Sequence, residues 1–205
     1  VINFSNSKII VGESIINGDL NLDYTEIKSS NLASKNFLNS LHFDLLISNS
    51  QIVSTDIGQL FSSFETNYKE TWLIKSEISG YLNDLEIRKW FLSNKKNNIE
   101  LNCKITNILD KDYSLIFDIL EFNVDSKEIN KAFPNFFGSI LPSSLRSFGR
   151  FNIDGLISIN PDDVKSKFNF QTKEGLLISD LNIFDFKNID NASYIGEIKG
   201  LDLDL

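Results

Sequence analysis

Along most of this chain apolar and polar residues take turns, and a period of two suits a β-strand with one covered face. Ile99, Leu101, Cys103 and Ile105 alternate with Glu100, Asn102, Lys104 and Thr106. Val164, Phe168 and Phe170 oppose Lys165, Lys167, Asn169 and Gln171. Leu20, Leu22 and Tyr24 share a face, as do Leu41, Phe43, Leu45 and Ile47, and Leu201, Leu203 and Leu205 oppose Asp202 and Asp204. Short polar turn signals separate such runs: KKNN at 95–98, LDKD at 109–112, NPDD at 160–163, KEG at 173–175 and NIDN at 188–191. Parallel strands need long crossovers, so strands joined this closely form an antiparallel meander.

Two stretches break the alternation. In 54–68, Ile57, Leu60, Phe61 and Phe64 fall at helical spacing behind the candidate caps Thr55 and Asp56. In 125–149, Ser126 and Ile129 open a similar pattern that Pro134 and Pro142 stop. Short helices are expected near 55–66 and 126–138, each closing a run of strands. The fold class expected is all-β: an elongated antiparallel sheet curled on itself, with two short helices. Residues 1–205 read as one continuous segment with loose repeat units of about 1–68, 69–148 and 149–205. The fragments INGDL (16–20), ISGYL (78–82), IDGLI (153–157) and YIGEI (194–198) share an apolar–x–Gly–x–apolar pattern at unequal spacings.

Composition narrows the function classes. The formal net charge of −8 suits neither nucleic-acid phosphates nor docking on anionic lipid headgroups. His42 is the sole histidine, which argues against a histidine triad or a multi-histidine metal site. Asp162 and Asp163 follow Pro161 in a turn, and His42, Asp44, Asp202 and Asp204 fall on polar strand faces. None of these is expected to build a catalytic or metal site, and no cofactor is expected. Cys103, the sole cysteine, reads as a buried core residue. No apolar run approaches the ~20 residues of a membrane helix. The chain opens at Val1, holds no Met and stops within the alternating run GLDLDL, which reads as an internal fragment of a longer protein.

The stretch FGRFNIDGLISIN (148–160) poses a local puzzle. Phe151, Ile153, Ile157 and Ile159 line one side of an extended chain, yet Gly155 stands in the middle of that apolar face. A strand glycine marks a bend or lets something approach closely. Two readings stay open: a bend in a curved sheet, or a gap in a face left for a guest such as an acyl chain.

The run LPSSLRSFGRFNIDGLIS, continued by FNFQTKEGLLISDLNIF and ASYIGEIKGLDLDL, resembles the AsmA-like TamB family (translocation and assembly module components) in its Bacteroidota-type branch. The matching positions are Leu141, Pro142, Phe148, Gly149, Phe151, Gly155, Thr172, Gly175, Tyr194 and Gly196. With IVSTDIGQLF and WLIKSEISGYLNDLEIRKWFL the likeness covers roughly 50–205, while residues 1–50 match only as generic strands. The resemblance implies a periplasmic, non-enzymatic piece of a protein whose inner-membrane anchor lies outside this segment. It implies a taco-like open groove, phospholipid acyl chains as cargo and a barrel-type outer-membrane assembly partner. The groove is then expected to be lined by Ile99, Leu101, Ile105, Phe151, Ile153, Gly155, Ile157, Phe168 and Phe170. A surface or extracellular β-rich binding or adhesin module is the alternative, and would fill its core with its own side chains. A polysaccharide-cleaving enzyme would need clustered carboxylates, whereas the acids here are dispersed.

Overall fold

Among the described residues eleven strands pair in sequence order into one open sheet: β1 (Ile2–Val11), β2 (Ser14–Asp23), β3 (His42–Val53), β4 (Thr71–Tyr81), β5 (Asp84–Ser93), β6 (Asn98–Thr106), β7 (Ser114–Asp125), β8 (Arg150–Ile159), β9 (Asp163–Thr172), β10 (Gly175–Phe184) and β11 (Ser193–Leu201). Helix α1 (Ser54–Leu60) follows β3, and α2 (Ser126–Ala132) follows β7. This computed structural model describes residues 1–24, 40–60, 65–132, 134, 149–186 and 192–201. Every neighbouring pair is antiparallel, and among the described residues β1 and β11 have no second partner strand. The expected sheet and both helices are present. The helices occupy the first parts of the expected ranges, and 61–64, 133 and 135–138 lie outside the described residues.

The helices start otherwise than their sequence suggests. Asp125, the last residue of β7, caps α2: its Oδ1 accepts from the Lys127 and Glu128 N–H groups at 3.0 and 3.1 Å. Asp56, the expected cap of α1, instead reaches the β1–β2 turn. Its carboxylate accepts from Glu13 N at 2.9 Å, Ser14 N at 2.8 Å and Ser14 Oγ at 2.7 Å. The Ser14 hydroxyl bond, with the two backbone donors, holds the Asp56 carboxyl below its ordinary pKa despite burial.

The strands β1–β4 and β5–β8 follow one plan. Val53 N donates to Ser14 Oγ at 2.8 Å, and at the corresponding place Asp125 N donates to Asn97 Oδ1 at 2.7 Å. The first residue of each helix donates to the residue before the next strand, Ser54 to Glu70 and Ser126 to Gly149. The ladders slip between Phe4 and Ser7 in β1 and between Ile87 and Trp90 in β5. They slip again between Ile47 and Ser50 in β3 and between Ile119 and Phe122 in β7. Asn6 and Lys89 take φ of 51° and 52°, and their N–H groups donate to Asp19 and Asn102. Such bulges sharpen the twist of a sheet. Cutting the chain after each helix, as in units 1–68 and 69–148, divides this four-strand period at another phase. The glycine fragments do not follow it: Gly155 corresponds to Ser76, and Gly80 to Ile159.

The core lies under the helices, at one end of the strands. Trp72, Leu92, Ile99, Val124, Phe151 and Phe170 form it with Ile129 and Ala132 of α2. Phe151 packs between Phe122 and Phe170, with ring centroids 6.1 and 5.5 Å away. Glu128 anchors α2 from above, accepting from the Tyr68 hydroxyl at 2.7 Å and pairing with Lys96 at 3.3 Å. That bond is the first cause of a Tyr68 pKa pushed up to about 12.

Asp56→Ala strands three donors at the helix–hairpin junction and is expected to cost about 1–3 kcal/mol in denaturant unfolding. The Asp56 contribution is complete above the unfolded carboxylate pKa of ~3.9 and falls away as pH drops through the lower folded value. Asp56→Asn is therefore expected to flatten the acid limb of the stability profile in that window.

Candidate functional site

Register assigns every strand residue a face. The pairs Phe4–Leu20–Leu45–Ile78–Ile87–Cys103–Phe117–Ile157–Ser166–Leu181–Gly196 form one row that crosses all eleven strands. Parallel rows on the same face run Leu101–Ile119–Gly155–Phe168 and Ile99–Phe122–Ile153–Phe170. Ile105 enters through Leu115, itself paired with Ile159. All nine residues expected in the groove thus share one face. Among the described strand residues, no charged side chain stands on that face. The opposite face carries the charges, with pairs such as Lys89–Glu77 at 2.7 Å and Lys167–Asp180 at 3.5 Å. These exposed pairs add little stability; their effect is to keep that face wetted.

The nine residues divide by burial. Ile99, Phe151 and Phe170 are 0%, 1% and 6% exposed, sealed beneath the helices. They line no open space, so the single lumen expected from parity is in fact two zones. Leu101, Ile105, Ile153, Gly155, Ile157 and Phe168 are half-buried on the uncovered part of the face. In the eleven-residue row Cys103 alone is buried, which raises its thiol pKa, and the rest keep partial contact with solvent. Ten inter-strand spacings of ~4.8 Å make this trough about 48 Å long from edge to edge.

Gly155 has a backbone reason that strand parity did not contain. Its φ is +139°, and a Cβ there would stand 2.2 Å from the Lys167 carbonyl oxygen and 2.6 Å from Phe168 Cα on β9. The chain is bent so that any side chain would run into the next strand, which only glycine avoids. The bend reading therefore holds, and the missing side chain on the trough floor is its by-product.

The polar candidates gather no shared site. His42 Nδ1 lies 3.4 Å from Asp44 Oδ2 on the charged face, and the His42 ring meets Tyr81 edge-on at 5.1 Å. Asp163 accepts from the Asn160 side chain at 3.0 Å, and the Asp162 carbonyl accepts from Asp185 N at 2.9 Å, as turn residues do. Asp202 and Asp204 lie outside the described residues. Among the described residues no group of three or more His, Cys, Asp or Glu could hold a metal ion, and no helix is long and apolar enough to cross a membrane. Sequence reading, which took residues 1–50 only as generic strands, assigned no inward residues to β1, whose Phe4, Ser7 and Ile9 face the trough. The bulge at Asn6 reverses parity there; the signal was an alternation that slips by one residue at SNS.

Replacing a strand glycine by alanine ordinarily stabilises when the backbone permits it. Gly155→Ala is expected to do the reverse, lowering the unfolding free energy by more than about 1 kcal/mol. Urea titration of the two proteins checks it.

Comparison of the chain with protein-family models, with curated proteins and with solved structures finds no match.

Proposed function

We propose that this sheet is a non-enzymatic conduit module that carries the acyl chains of phospholipids along its charge-free trough. The observation that carries the reading is the row from Phe4 to Gly196, apolar or small at every strand and partly open to solvent. Each methylene moved from water onto such a surface gains about 0.8 kcal/mol at full burial. An acyl chain makes no hydrogen bond and needs none, so nothing on the floor fixes it at one position. The gain is similar at successive strands, and the cargo can slide. The trough is also longer than the ~30 Å hydrocarbon core of a bilayer. An adhesin has no use for a long half-exposed apolar floor beside a core that its own residues already fill.

The cellular setting belongs to the same proposal and rests on the likeness to the TamB family. In it the chain works in the periplasm as part of an inner-membrane-anchored protein, between inner and outer membranes, beside a barrel-type outer-membrane partner.

A photo-crosslinking side chain at Leu101 or Ile157, with Asn102 and Ser158 as opposite-face controls, tests the reading in a cell-envelope preparation. Phospholipid captured at the first pair and not the second is the expected result. Equal capture on both faces, or none on either, would falsify it. A charge separates the two zones as well. Phe151→Arg places an unpaired charge in the sealed core and is expected to abolish folding. Ile157→Arg leaves the charge within reach of water, so the circular dichroism spectrum should persist while lipid capture at Leu101 falls.

A further inference from the structure

The two four-strand units share a plan but fill it with side chains of different size. Where β5 carries Trp90 after its bulge, β1 carries Ser7; each faces the matching position of the next strand, Leu101 in β6 and Gly18 in β2. Where β7 carries Phe122 after its bulge, β3 carries Ser50. Three large apolar side chains of the second unit are thus three small residues in the first. The second unit packs Trp90, Leu101 and Phe122 against the core. The first has a cavity of about 390 Å³ beside Ser7 and Gly18, walled by Phe4, Ile9, Leu20 and Ile47. Phe4 and Ile9 stand 50% and 57% exposed at its mouth.

We infer that this cavity between β1 and β3 is a seat for one acyl chain, the place along the trough where cargo is held rather than passed. The occupant's chemistry is set by what the other unit puts in the same place: the indole of Trp90 and the isobutyl group of Leu101, both apolar. Its size follows from the volume. An apolar cavity of ~150 Å³ accommodates one benzene, so 390 Å³ takes a chain of on the order of ten to fifteen carbons. Gly18 makes the space permanent, since a Cβ on it would lie 2.1 Å from the Leu46 carbonyl oxygen. The seat deepens the conduit reading and rests on it.

The chain can come from a free fatty acid or from a phospholipid, so both probes are used: a 16-carbon fatty acid and a phosphatidylethanolamine, each with a diazirine at mid-chain. After irradiation with the whole protein, labelled residues are mapped by mass spectrometry. Labelling is expected to concentrate on Phe4, Ile9, Leu20 and Ile47, above the matched residues of the second unit. Ser7→Trp supplies the side chain that β5 has and should lower that labelling about tenfold, leaving labelling at Ile157 and Phe168 unchanged. Ser7→Leu is the second variant should the indole disturb β1, with circular dichroism to show that the sheet is intact. Labelling by both probes places the seat on the lipid path, and labelling by the fatty acid alone identifies a fatty-acid site. Equal labelling of the two units, or labelling at the seat that Ser7→Trp and Ser7→Leu leave untouched, overturns the seat while the conduit stands. No labelling anywhere on the inner face overturns both.

Discussion

The separation of charge between two faces of one sheet is the constraint on which everything else depends. A side chain's face is set by parity along its strand, and a one-residue slip would carry every apolar residue across. Seven of the ten strand pairings contain such a slip, yet charge stays off the inner face. Bulges on adjoining strands sit at neighbouring heights, so parity is restored on both sides at once. Asp19 and Asn102 secure two of them by accepting from the bulged N–H of Asn6 and Lys89. The bulges thereby let strands of ten to twelve residues bend sharply without turning a lysine inward.

That constraint also explains why the two described helices can be as short as seven residues. They need not cover the sheet, only one end of it. Ile129 and Ala132 complete a core whose other members come from the nearby strand ends, and full burial of a side chain such as that of Ile129 is worth about 1.5–3 kcal/mol. The stability of the sealed end permits the remainder to stay open. The helices are held by polar bonds from outside, through Asp56 to one hairpin turn and through Glu128 to Tyr68 and Lys96. An apolar attachment there would have competed with the core for the same residues.

The alternation at Ile99–Ile105 and Phe151–Ile159 made the strands and their inward residues legible, because regular strands transmit parity without loss. Two kinds of feature stayed hidden. Bulges shift parity where the sequence shows only a small irregularity, which concealed the inward face of β1 and with it one end of the trough. Burial was hidden as well: Phe151 and Ile157 carry the same signal, and only the position of α2 makes one core and the other floor. The bonds of Asp56 span more than forty residues of chain, a distance over which a local capping rule has no information.

Each strand pairs only with the strands before and after it in the chain. Among the described residues no pairing closes the sheet, and no strand waits for a distant partner. Loop-closure entropy, which slows β-proteins with remote pairings, is therefore small at nearly every step. The sheet can grow one strand at a time, each new edge serving as template for the next, and it can be unzipped the same way. Such a molecule has a direction of assembly without a final locking event. Its cooperativity is that of a chain of neighbours, strongest around α2 and weakest at β1 and β11.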